Sequence, residues 1–215
     1  MQNGMFVRPY ISQSSDALVV TGNYAGLKFP MTGGVDLTGT VISDESGNFK
    51  EGDNIVVNSY GVGTDHYGGY AEEARMRPEW CLPMPAGMDH LTAARIGTAG
   101  YTAALCVQEL LNKNVSPSDG PICVSGATGG VGSVSVLLLA QMGYKVVALS
   151  GKAEAEEAFL KSLGADSVLP RQSFEDKARP LNKELYAGGV DVAGGNILAN
   201  MLSMTKKYGM YPKNI

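Results

Sequence analysis

The stretch of residues 121–152 constrains the fold more strongly than any other part of this 215-residue chain. A short apolar run at 122–124 enters the glycine-rich turn 126–132, and apolar residues then recur at helical spacing as far as Gly143. A second apolar run follows at 146–149. Strand, glycine turn, helix and strand in this order are typical of the first half of a dinucleotide-binding unit.

The glycine turn has the composition that a pyrophosphate site needs. Glycines let the backbone approach a phosphate without an intervening Cβ, and the following helix offers unpaired N–H groups and the positive end of its dipole. The usual GxGxxG pattern has Ala127 at its first glycine here, so a tight turn that binds nothing is the alternative. We predict that five consecutive residues bind the phosphates: Thr128, Gly129, Gly130, Val131 and Gly132.

The end of the second predicted strand indicates which dinucleotide is bound. A site that prefers NAD usually has an Asp or Glu there, but this chain has Ser150, Gly151 and Lys152. A hydroxyl, a free N–H group and a cation suit the 2′-phosphate of NADP, and Arg171, after the apolar stretch 167–169, adds a second cation. The alternative is that both cations are solvated surface charges. We predict NADP as the cofactor.

Composition excludes several other classes of function. The net charge of −4 gives no basic field for nucleic acid, and there is neither a basic amphipathic helix for a membrane surface nor an apolar run of membrane-spanning length. No signal peptide is visible in residues 1–10. The three scattered cysteines, Cys81, Cys106 and Cys123, suit buried thiols in a reducing compartment. We therefore expect a cytoplasmic protein with a small-molecule substrate.

The remaining pattern predicts an α/β protein with two parts. Residues 1–90 give a small β-barrel-like unit, with strands at 37–42, 54–58, 70–76 and 80–82, after a poorly patterned segment 1–24 that contains a short helix or turn at 16–20. Residues 91–215 give the doubly wound parallel sheet. The predicted third and fourth strands are 167–169 and 190–193, a helix follows at 196–206, and the predicted sheet order is 3-2-1-4.

Several stretches together resemble the zinc-free quinone oxidoreductase branch of the medium-chain dehydrogenase/reductase superfamily, most closely its acrylyl-CoA reductase subgroup. The resemblance covers about residues 13–209 in order, and it is carried by residues 29–36, 39–41, 68–72, 97–103, 126–132, 150–152, 169–171 and 187–191. It implies a GroES-like catalytic domain, a Rossmann domain and NADPH-dependent reduction of an activated C=C bond or a quinone.

The resemblance also bears on metal binding. The zinc-dependent branch takes a catalytic histidine from a Gly-His-Glu stretch, where this chain has Gly34, Val35 and Asp36. The only histidines, His66 and His90, have no partners at metal-ligand spacing. We therefore expect no metal site.

The chain departs from the resembling family in ways that leave its catalytic residues unknown. Such enzymes are longer, and we expect both the barrel and the parallel sheet to be incomplete, the sheet ending after its fourth strand. An exposed sheet edge predicts a homo-oligomer, or else a chain that is only marginally stable alone. The Asn and Tyr that face the nicotinamide in the family correspond here to Gln13 and Ser14, and Tyr60, Tyr67 and Tyr101 are proton-donor candidates by position only. The alternative function is a shortened, non-catalytic NADP-binding relative.

Overall fold

A computed structural model describes residues 5–10, 14–23, 29–180 and 182–210, and its contacts divide the chain into two compact units, Met1–Thr98 and Ala99–Ile215. Short alternating strands dominate the first unit, whereas strands alternate with helices in the second. Alternation of buried and exposed residues suits an antiparallel sheet with one solvated face, and continuous apolar runs suit a parallel sheet covered on both faces. Each unit follows the expectation for its pattern.

The first unit is built on a five-stranded antiparallel sheet with the order β4-β1-β2-β3-β5. Its elements are β1 (Met5–Tyr10), α1 (Ser14–Val20), β2 (Asp36–Asp44), β3 (Asn54–Asn58), β4 (Ala74–Met76) and β5 (Leu82–Pro83). Alternate residues point into one core, which includes Met5, Leu37, Ile55 and Val57. The period-2 pattern therefore positions this sheet, as strand geometry requires.

The sequence missed β1, because residues 1–24 were predicted to be poorly patterned apart from a short helix. Met5 and Val7 are fully buried, and β1 pairs with both β2 and β4. Its partners lie far along the chain, so local patterning gives little sign of a central strand. The predicted strand at 70–76 is also too long, since the N–H groups of Gly69 and Tyr70 donate to carbonyls of the 33–34 loop instead.

The second unit is a five-stranded parallel sheet with the order β10-β9-β6-β7-β8. Its elements are α2 (His90–Asn112, which begins in the first unit and is broken into two helical parts by a kink at Gly97), β6 (Ile122–Ser125), α3 (Gly130–Gln141), β7 (Val146–Ser150), α4 (Ala153–Ser162), β8 (Ser167–Pro170), β9 (Tyr186–Val190), α5 (Gly195–Ser203) and β10 (Thr205–Met210). The predicted order 3-2-1-4 is confirmed as β8-β7-β6-β9. Strand order reverses between β6 and β9, which makes their carboxyl ends the switch point of the sheet.

Two predictions for the end of the sheet are wrong. The fourth strand spans Tyr186–Val190 and not 190–193, since Gly188 and Gly189 lie inside a strand that is buried throughout. The sheet also continues past that strand, because β10 pairs in parallel with β9. Lys206 and Lys207 gave β10 a polar appearance that suits a strand at a sheet edge. The predicted helix 196–206 accordingly ends earlier, at Ser203.

Helices pack against the parallel sheet through a shared apolar core. Val136 and Leu139 of α3 and Leu160 of α4 are fully buried in one core cluster with residues of β6 and β7.

In the part of the chain that the structure describes, no helix is long and apolar enough to cross a bilayer.

Candidate functional site

The turn between β6 and α3 is held in a tight conformation by glycine. Gly126 has a φ of 56°, and a Cβ on it would lie 2.4 Å from Cγ2 of Val192. The N–H group of Ala127 donates to Leu149 O (3.1 Å), and that of Gly129 donates to Gly126 O (2.9 Å). These bonds fix the turn against the end of β7, so its geometry is set before any ligand arrives.

Gly132 allows α3 to pack closely against the turn. A Cβ on Gly132 would lie 2.2 Å from Gly126 O and 2.8 Å from Cα of Ala127. Both contacts are with backbone, which has no side-chain rotamer to give way. This close approach of helix and strand is the role of the last glycine in a dinucleotide-binding fingerprint.

The N-terminus of α3 is open for an anion. Gly129 occupies the N-cap position in an extended conformation, and no side chain caps the helix. Gly129 and Gly130 are exposed, whereas Thr128 and Val131 are half-buried and Gly132 is buried. The first N–H groups of a helix have no intrahelical partner, and together with the dipole they attract phosphate. The five predicted phosphate-binding residues therefore lie together around an uncapped helix start.

The predicted ribose-phosphate residues also lie together, at the carboxyl ends of β7 and β8. Ser150 is buried, its Oγ lies 3.3 Å from Oγ1 of Thr128, and it accepts a hydrogen bond from Lys152 N (3.0 Å). The Lys152 side chain is exposed at the start of α4. A cavity of about 520 Å³ lies here, lined by Gly151, Lys152, Ala153, Glu154, Ala155, Pro170 and Gln172.

Arg171 lies beside the same strand end. Its Cζ atom is 3.6 Å from the position that a Cβ of Gly151 would take. Its Nε atom bonds Oε1 of Glu175 at 2.8 Å, in a half-exposed i,i+4 ion pair. The structure therefore brings Arg171 next to residues 150–152. Glu175 was not among the predicted site residues, although its i,i+4 spacing from Arg171 was an available signal.

A buried polar pair at the switch point was not predicted either. Ser125, at the end of β6, donates to Oδ1 of Asp191, directly after β9, at 2.6 Å. Ser125 Oγ accepts from Val192 N (2.9 Å), and Oδ2 of Asp191 accepts from Gly194 N (2.9 Å). These bonds fix the two strand ends whose separation forms the crevice of a doubly wound sheet. The signal available in the sequence was a polar residue at the end of each of two apolar runs, Ser125 after 122–124 and Asp191 after Val190.

The residues compared with zinc ligands have structural partners. The buried Asp36 carboxylate accepts hydrogen bonds from Thr98 N (2.8 Å), Thr98 Oγ1 (2.5 Å) and Asn58 Nδ2 (2.8 Å). His90 lies in the first turn of α2, with Nδ1 2.9 Å from Thr38 Oγ1. His66 is exposed and packs against Trp80. Among the described residues no group of three metal-ligating side chains exists, so the absence of zinc stays a prediction.

The described residues supply no activated thiol. Burial raises the pKa of the Cys81 and Cys123 thiols to about 12, and it raises the pKa of Cys106 as well. The thiolate is the reactive form of cysteine, so these thiols are inert near neutral pH. Tyr60, Tyr67 and Tyr101 are all exposed. Gln13 lies outside the described residues, and Ser14 is the first residue of α1.

Comparison with known proteins agrees with this architecture. The model of the alcohol dehydrogenase GroES-like domain matches residues 11–86. Probable acrylyl-CoA reductase AcuI of Escherichia coli is 47% identical over 189 residues, which cover 87% of this chain and 58% of that protein. The chain thus spans less than two thirds of the length of this relative.

Two solved structures are also similar. Escherichia coli YhdH with bound NADPH has a TM-score of 0.92 and 43% identity, over 98% of this chain and 65% of that one. Bacillus subtilis YhfP with NAD bound has a TM-score of 0.90 and 36% identity, over 98% of this chain and 64% of that one.

A parallel sheet with a glycine turn at its switch point, preceded by a GroES-like domain, places the chain in the class of Rossmann-fold α/β proteins that carry both parts. The chain belongs to the medium-chain dehydrogenase/reductase superfamily, and its close homologues are named as acrylyl-CoA and quinone reductases.

Proposed function

We propose that this chain carries the dinucleotide site of an NADPH-dependent oxidoreductase that reduces an activated C=C bond or a quinone. The observation that carries the proposal is the uncapped N-terminus of α3 behind a glycine turn at the switch point of the sheet. The names of the similar proteins support the reaction class. The bound cofactor would supply a hydride, and the protein would bind and orient the cofactor.

We assign the binding roles as follows. The free N–H groups at the start of α3, within residues 130–132, bind the pyrophosphate, Thr128 and Gly129 lie beside it, and the absence of a Cβ at Gly129 leaves the backbone accessible. Ser150, Gly151, Lys152 and Arg171 bind the ribose 2′-phosphate. Convergence of these four residues at the ends of β7 and β8 supports this assignment.

Preference for NADP over NAD depends on the chain's own residues, because the similar solved structures were obtained with either cofactor. Ser150 ends β7 where an NAD site would have a carboxylate, and two cations flank it. The carboxylates of Glu154 and Glu175 lie nearby, so the preference has to come from charge-assisted bonds to the phosphate that outweigh their repulsion. These features support NADPH.

We further propose that the reaction needs no zinc. The Asp36 carboxylate is engaged with Thr98 and Asn58, and His90 with Thr38, which supports structural roles for both.

We propose residues 1–90 as a partial catalytic domain and residues 91–215 as the NADP-binding domain. Buried free cysteines support a reducing, cytoplasmic location. The edge position of β10 among the described strands supports a homo-oligomer, which light scattering would test.

Binding and turnover are tested separately. NADPH is titrated into the chain by fluorescence, and NADPH oxidation is then followed with acrylyl-CoA or with a quinone. Saturable NADPH binding together with substrate-dependent oxidation supports the proposal. Saturable binding without oxidation supports the non-catalytic alternative, and the absence of binding contradicts both.

A further inference from the structure

The segment after β8 is held in place by hydrogen bonds from side chains of α5. Phe174 is buried in the core, and Nδ2 of Asn200, which is also buried, donates to Phe174 O (3.0 Å) and Asp176 O (2.7 Å). Nδ2 of Asn196 donates to Glu175 O (2.8 Å). The backbone that carries Arg171 and Glu175 is therefore held by a buried side chain and by two amides of a neighbouring helix.

On this fixed turn, Glu175 determines how Arg171 is oriented. The Oε1 atom of Glu175 accepts a hydrogen bond from Nε of Arg171, which is the guanidinium donor closest to the aliphatic part of the side chain. The guanidinium then lies against Gly151, with Nη1 3.7 Å from the position of an added Cβ. No hydrogen bond from Nη1 or Nη2 reaches any residue that the structure describes. The terminal fork thus stays available, and such a fork binds phosphate with two parallel hydrogen bonds.

We infer that Glu175 is a positioning residue for the 2′-phosphate, so that an acidic side chain favours the more negative cofactor. This inference rests on the proposed NADPH site. By accepting from Nε, Glu175 holds the guanidinium beside Gly151 before the cofactor binds. The side-chain entropy that binding would otherwise cost is thereby already lost in the free protein.

The opposite role for Glu175 is also physically reasonable. Its carboxylate is negative and half-exposed, so it would repel a phosphate and partly neutralise Arg171. The two roles predict opposite changes in NADPH affinity when the carboxylate is removed. The Nε–H group of Arg171 needs an acceptor, which need not be charged. Glu175→Gln keeps an acceptor oxygen and removes the negative charge, so this variant further separates positioning of Arg171 from repulsion of the phosphate.

The test measures NADPH and NADH dissociation constants for the whole chain and for the variants Glu175→Ala, Glu175→Gln, Arg171→Ala and the double variant Arg171→Ala/Glu175→Ala. Glu175→Ala should weaken NADPH binding by about threefold to fivefold, the range of a half-exposed ion pair, and leave NADH binding unchanged. Glu175→Gln should retain most of the NADPH affinity. In the Arg171→Ala background, Glu175→Ala should have no further effect.

A matched control is the other described i,i+4 ion pair, Lys113 with Glu109 in the region of the α2 C-terminus. Glu109→Ala should leave the ratio of NADPH to NADH affinity unchanged. Melting temperatures of all variants exclude a general loss of structure as the cause.

Several results would overturn the inference. Unchanged or tighter NADPH binding in Glu175→Ala, or equal loss in Glu175→Gln and Glu175→Ala, contradicts positioning through Nε while leaving the proposed NADPH site intact. An Arg171→Ala variant with an unchanged affinity ratio removes both this inference and the role of Arg171. Absence of NADPH binding by the unaltered chain removes the proposed function itself.

Discussion

Replacement of Gly132 by alanine tests the packing of α3 against the glycine turn. The added Cβ would lie 2.2 Å from Gly126 O and 2.8 Å from Cα of Ala127, whereas ordinary contacts begin near 3.4 Å. The helix start must therefore move away from the turn by about 1 Å, an overpacking strain that costs about 2–3 kcal/mol. Alanine recovers about 1 kcal/mol of helix propensity. We expect a net loss of about 1–2 kcal/mol in the free energy of unfolding.

The assay is thermal unfolding followed by circular dichroism. For a chain of this size, the expected loss lowers Tm by about 2–8 °C. The control is Gly151→Ala, whose Cβ would make only ordinary contact, 3.6 Å from Cζ of the flexible Arg171 side chain. That variant should melt within about 1 °C of the unaltered chain. A Gly132→Ala variant that melts as high as this control would refute the close packing of helix and turn.

Three further predictions concern buried groups and metal. Asp36→Ala removes the acceptor of Thr98 and Asn58 and should cost about 2–4 kcal/mol in urea unfolding; an unchanged midpoint would contradict this role. Cys81 and Cys123, with pKa values raised by burial to about 12, should resist thiol reagents at pH 8 until urea is added. Since unfolded thiols ionise near pH 8.5, their contribution to stability should be complete below about pH 8.5 and decrease above it, and a flat profile argues otherwise. Elemental analysis should find no stoichiometric zinc, and chelators should leave NADPH affinity unchanged; bound zinc would overturn the branch assignment.

The sequence predicted best the part of the fold whose elements are marked by short-range patterns along the chain. The unit from β6 to β8 alternates apolar runs with a helical pattern, and its glycine turn is a short-range signal, so the sheet order followed from known handedness and topology. β1 was missed because its pairing with β2 and β4 is non-local. β9 was predicted a few residues too late because glycines inside a buried strand resemble a turn, and β10 was missed because two lysines conceal an edge strand.

In the candidate site, too, residues marked by local patterns could be predicted, whereas residues that meet only in the folded chain could not. Residues 128–132 and 150–152 could be proposed from the sequence because they lie at the ends of recognisable elements. Ser125 and Asp191 meet only when β6 and β9 become neighbours, 66 positions apart in the sequence. The importance of Glu175 depends on the orientation of Arg171 relative to Gly151, which is a tertiary relation with no local pattern.

The most direct test of the central claim is the ratio of NADPH to NADH dissociation constants for the unaltered chain and for the double variant Lys152→Ala/Arg171→Ala. Each cation should contribute a charge-assisted bond of about 1.5–3 kcal/mol to NADPH alone, so the loss of both should lower NADPH affinity by at least about a hundredfold while NADH affinity stays the same. Raising the salt concentration should weaken NADPH binding more than NADH binding in the unaltered chain. Equal loss for both cofactors, or no binding of either by the unaltered chain, would contradict the claim.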